Sequence, residues 1–202
     1  MFKISITVSD QGKDASALLR KATEYKDNGK INDAINTLRK AYKEIAKTNI
    51  DYPIETFLRL PLYLQAAGQN DEAWKEFNKL LKEGYPNQNK SKEIGPMVES
   101  TIYDKMRLFL QRQKEYDKAI SYGVYSILSH ALGLYNQKRV KELQSYTDNE
   151  FITDKVTTLL KKAKKLDLLE DIMQVTQGEL NNIPNISFEY FSEKVDALLH
   201  KF

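Results

Sequence analysis

His130 is the residue whose type and setting best fit catalysis. It is one of only two histidines in the chain. It follows Tyr122, Tyr125, Ser126 and Ser129 on a stretch with helical periodicity. A histidine among hydroxyls reads as a general base or polar anchor, or as a packed, hydrogen-bonded core residue. His200 reads as a surface residue. Glu170 and Asp171 are adjacent in sequence, which does not put them on one helix face, whereas Glu189 and Glu193 share one. Such acidic pairs read as solvated surface. Cysteine is absent, which removes disulfides, thiolate nucleophiles and cysteine-ligated metals. There is no Gly-rich phosphate loop, H-E-x-x-H pattern or serine elbow. Neither a metal nor a cofactor is expected.

Charge offers a second kind of chemistry. The chain has 31 basic and 28 acidic residues among 202, a formal balance of +3. That is too even for a dedicated nucleic-acid binder. Locally it is uneven. Residues 130–165 carry eight Lys/Arg and four Asp/Glu, while residues 166–202 carry two and seven. Lys138, Arg139, Lys141, Lys161, Lys162 and Lys165 therefore form a candidate patch for nucleic acid. The alternative is a solvated helix face that complements the acidic tail. Twelve tyrosines supply either a low-entropy contact surface or large knobs between helices.

The elements that position these residues are helices. Leu18, Leu19, Ala22 and Tyr25 recur at helical steps, and Asp27–Lys30 breaks the pattern. Ala34, Ile35, Leu38, Ala41, Tyr42 and Ile45 form the next stripe, with Asn32 as the expected N-cap. A second pair runs through Phe57–Leu64 and Ala73–Leu81, with a bend or late start expected at Pro61. Residues 87–95 are a polar linker. A third pair runs from Met97 to Leu110 and from Ala119 to about Tyr135. After Asn136 the pattern fades into shorter helices, broken at Asn181–Asn185, and residues 188–202 close the chain as a cap. Residues 3–8 alternate by two and suggest a short N-terminal strand or an irregular arm.

Tyr25, Gly29, Ala34, Leu38 and Ala41 recur 39 residues later as Leu64, Gly68, Ala73, Phe77 and Leu80. A weaker third copy, Leu110, Lys114, Ala119, Gly123 and Ser126, follows 46 residues on. In this order of large, small and turn residues the chain resembles the tetratricopeptide repeat family over residues 15–130. Pro61 and Arg107 stand where that family has a small residue, Leu18 where it has tryptophan. The spacing exceeds the family's period of about 34 residues. The expectation is an all-α protein, a right-handed solenoid of three helical hairpins over 15–136, an N-terminal arm over 1–14 and a helical cap over 137–202.

The resemblance implies a non-catalytic protein-interaction module or adaptor, with first helices lining the binding face. It nominates Leu19, Thr23 and Lys26, then Arg59, Leu62 and Tyr63, then Thr101, Asp104, Lys105 and Gln111. The expected partner is a peptide or protein. Nucleic acid through the basic patch, an enzyme site around His130 and a homo-oligomer are the alternatives. No stretch has the roughly 18 apolar residues that cross a bilayer, and a cytoplasmic location is expected.

Overall fold

The computed structural model describes residues 11–88, 95–147 and 150–200. The segment expected as an N-terminal strand lies outside them. All regular secondary structure among the described residues is helical, with no strand among them. By internal packing the chain divides into two units, 1–88 and 89–202. The boundary falls in the polar segment expected as a linker.

The first unit contains α1 (Gln11–Asp27), α2 (Ile31–Ile45), α3 (Ile54–Ala66) and α4 (Asn70–Glu83), each packed on the next. Ala22, Ala34, Leu38, Ala41, Leu64, Ala73 and Phe77 are completely buried. All but Ala22 are repeated positions of the sequence, while the repeated Tyr25 and Leu80 are only half-buried. Helix α1 begins before the expected Ala15, and α2 begins at Ile31, one residue ahead of Asn32.

Pro61 lies inside α3 without ending it. Proline has no N–H, so the Phe57 carbonyl one turn earlier loses its usual helical donor. The Tyr42 hydroxyl of α2 reaches this bare stretch of backbone. It donates to the Thr56 carbonyl at 2.6 Å, with the Phe57 carbonyl 3.3 Å away. Burial pushes the pKa of that phenol well above its ordinary value, so it stays protonated and remains a donor.

The second unit is arranged around one helix. It contains α5 (Gly95–Arg112), α6 (Tyr116–Asn136), α7 (Val140–Thr147), α8 (Glu150–Ala163), a 3-10 turn (Leu166–Leu168), α9 (Leu169–Asn181) and α10 (Phe188–Leu199). Helix α6 touches α5, α7, α8, α9 and α10. Its buried residues, among them Ala119, Ile120, Val124, Ile127, Leu128 and Ala131, leave no wholly polar side. A helix apolar all round has to be interior. Two glycines admit its neighbours. A Cβ on Gly133 would stand 2.4 Å from Met97 Cγ of α5, and one on Gly123 would stand 2.7 Å from Leu159 Cδ1 of α8. The latter would also meet Arg107 Cδ at 3.1 Å. Arg107, where a small residue was expected, thus faces a glycine where a large one was expected, so large and small have exchanged sides.

One turn geometry links successive helices in both units. At Gly29, Gly68, Lys114, Lys138 and Lys164 the backbone enters the left-handed region, with φ between 58° and 76°. In each turn that residue's N–H bonds a carbonyl three residues back, and the next N–H bonds one five residues back. This is the Schellman closure. After the first four turns the carbonyl of that next residue accepts the first bond of the following helix, as in Ala34 N–H to Lys30 and Leu143 N–H to Arg139. The turn pattern therefore continues past Asn136, where lysine replaces the glycine that marks it in the first two turns.

Candidate functional site

In the first unit, α1 and α3 bring four of the six nominated residues together. Arg59 Nη2 donates to the Leu19 carbonyl at 2.9 Å and to Thr23 Oγ1 at 2.8 Å. The Tyr63 hydroxyl lies 3.4 Å from the same nitrogen, and the guanidinium carbon stands 5.6 Å from the Tyr63 ring centre. All of these bonds leave from Nη2. No carboxylate among the described residues pairs with Arg59. Lys26 is exposed and bonds its neighbour Asp27 at 3.1 Å. Asp27, and secondarily Tyr63, raise its pKa. Leu62 is half-buried beside this cluster on α3. The face is thus a half-buried arginine, a lysine and a tyrosine, with a polar anchor on α1.

In the second unit the nominated residues of α5 separate by role. Thr101 lies inside α5 and turns its hydroxyl back onto its own helix, donating to the Met97 carbonyl at 3.3 Å. Asp104 is committed within the protein. It accepts from Arg107 Nε and Nη2 at 3.0 and 2.8 Å, and Lys155 Nζ of α8 stands 3.0 Å away. Burial alone would raise the Asp104 pKa, but Lys155 and Arg107 outweigh it and hold the carboxyl below its ordinary value. Lys155 is shifted downward, chiefly by burial, against the pull of Asp104. Lys105 and Gln111 are half-buried, and Lys105 has no ion pair among the described residues.

The sequence reading missed the partners of Asp104. Lys155 lies 51 positions away, and only the packing of α8 on α6 brings it near. It also missed the aromatic cluster in which Tyr103, Tyr122 and Tyr125 contact one another and Tyr103 and Tyr125 contact Phe188 of α10. Burial pushes Tyr103 up to about 12. The count of tyrosines was the one available signal.

His130 is half-buried, with its ring centre 4.6 Å from that of Tyr146. Burial, then the charges of Arg139 and Lys155, lower its pKa, so it is neutral near pH 7. It borders an open cleft with Arg139, Glu142 and Ser145. No nucleophile is hydrogen-bonded to it among the described residues. His200 is exposed, as expected.

The basic patch is partly spent internally. Arg139 pairs with Glu142. Lys165 reaches Asp117 at 2.9 Å and the Leu199 carbonyl. Lys138, Lys141, Lys161 and Lys162 remain exposed. Among the described residues no cluster of His, Cys, Asp and Glu could hold a metal, and no helix is long and apolar enough to cross a membrane.

No protein-family model, curated protein or solved structure matches the chain.

Proposed function

We propose that the protein is a non-catalytic protein-interaction module of the tetratricopeptide-like helical-repeat kind. Its first helices bind a peptide or protein partner in the cytoplasm. One observation carries the reading. Arg59 is half-buried and fixed in place by two short bonds to α1, yet its charge has no carboxylate partner among the described residues. A guanidinium held in this way is prepaid in conformational entropy and remains able to bind an acidic group. Tyr63 and Leu62 supply apolar surface next to it, and Lys26 adds a second cation. The repeated turn geometry supports the solenoid register that makes α1 and α3 equivalent first helices. In the second unit Lys105 has the corresponding role on α5, while Asp104 serves the internal ion cluster instead.

The test is affinity capture from the native cell with quantitative mass spectrometry, comparing wild type, Arg59→Ala and Lys105→Ala. Far-ultraviolet circular dichroism checks that each variant keeps its helix. A partner lost from Arg59→Ala supports the α1–α3 face. A partner retained equally by both variants places the contact elsewhere.

A further inference from the structure

The first unit also has a groove on α2, α3 and α4, formed by residues other than those of the α1–α3 face. Its volume is about 400 Å³. It lies over Phe57 and Leu60 of α3, which are themselves almost wholly buried, and its accessible apolar lining is Ala46, Leu80, Tyr85 and Pro86. Drug-sized ligands occupy cavities of roughly 300–1,000 Å³, lined mainly by apolar groups with a few polar ones. The groove fits that description at its small end.

Its shape follows from the register of α2 against α4. Arg39 of α2, at the groove's edge, forms an ion pair with Glu72 of α4. One helical turn further along both helices come Lys43 and Glu76, and these are not paired. The groove lies open from this point. Beyond it the chain after α4 forms the far wall. Gly84 turns with φ 73°, and Tyr85 stacks on Phe57 with ring centres 4.7 Å apart. The Asn87 side-chain amide donates to the Ile50 and Ile45 carbonyls at 2.8 and 3.2 Å, which pins that wall to the end of α2. Tyr42, which lines the groove as well, fixes α3 through its hydroxyl. The cavity is therefore built before any ligand enters.

With Arg39 neutralised by Glu72, three charges border the opening: Lys43 and Lys79 against Glu76. We propose that this groove is a binding site for a small amphipathic anion, with an apolar body against Leu80, Tyr85 and Pro86 and a single carboxylate held by Lys43 and Lys79. Glu76 opposes the head group and limits the affinity. This site is separate from the α1–α3 face, and neither Arg59 nor Lys105 contributes to it.

Isothermal titration of the full chain with octanoate, with octanol and acetate as controls, tests the proposal. Octanoate should bind saturably at one site, at least tenfold more tightly than either control, and more weakly as salt rises. Ala46→Trp adds bulk at an exposed wall position without touching the core, and should weaken octanoate at least tenfold. Lys43→Gln with Lys79→Gln should do the same, whereas Glu76→Gln should tighten binding. Absence of saturable octanoate binding to the wild type would overturn the proposal. So would equal binding by Ala46→Trp with its helix content intact, or octanol binding as tightly as octanoate.

Discussion

Tyr42 has a role that its residue type alone would not predict. Its hydroxyl serves a stretch of α3 backbone that Pro61 strips of a donor. Tyr42→Phe should cost about 0.5–1.5 kcal/mol, the net worth of an ordinary hydrogen bond. Combined with Pro61→Ala the loss should shrink only by the share of the longer contact to the Phe57 carbonyl, to which alanine restores the missing N–H. The bond to the Thr56 carbonyl is untouched. Denaturant midpoints of the two single variants and the double variant measure that coupling. Lys114 offers a test of the opposite sign. It is exposed and holds a left-handed conformation that glycine adopts freely. Lys114→Gly should raise stability by about 1 kcal/mol. A lower midpoint would show that the lysine side chain contributes something there that its backbone strain hides. Asp104 is the residue to follow with acid. Its folded pKa lies below its unfolded one, so its contribution is present above the unfolded value of about 3.9 and is lost as pH falls through the folded value. Asp104→Asn should destabilise at pH 7 by about 1–3 kcal/mol, since two cations keep no counter-charge. It should also flatten the fall in stability below about pH 4.

At the scale of elements, the close helix crossings decide which positions tolerate bulk. Ala34 and Ala73 are completely buried in the first unit. Replacing either with leucine should cost about 1–3 kcal/mol through overpacking. Gly133→Ala should cost a similar amount, about 1–3 kcal/mol, because the new methyl would meet both the Met97 side chain and its backbone nitrogen, the latter at 3.0 Å. Much of the helix pattern could be read in advance, since apolar spacing carries it directly: the stripes of α2, α4 and α6 lie where the period puts them. Pro61 could not be read, because the donor that compensates for it comes from another helix. The turns at Lys138 and Lys164 were hidden because glycine, their usual marker, is absent. Of the candidate face, Arg59 was legible as an exposed-register cation on a first helix. Its anchoring to Leu19 and Thr23 needed the packing of α1 on the hairpin that follows. Asp104 looked equally available, and only the arrival of Lys155 from α8 shows that it is not.

At the scale of the whole molecule, the two units differ in how they distribute their packing. Helices α1 to α4 pack in succession, each on its neighbour, while the second unit gathers its helices about α6. The unit boundary lies at Gln88 and Asn89, so fragments 1–88 and 89–202 should each retain helix and unfold cooperatively when produced separately. Calorimetry of the two fragments checks this, and a broad non-cooperative transition in either would show that it depends on the other. Helix α6 has a further consequence in the time domain. Five neighbours cover its central turns, and its exposed residues, Lys118 and Tyr135, lie near its two ends. Its central amides, from about Ile120 to Leu128, can therefore trade their protons for deuterons only when the surrounding helices come apart together. In a native-state exchange experiment they should report the opening free energy of the entire second unit. The amides of α7, which has no buried residue, should exchange through small local openings long before.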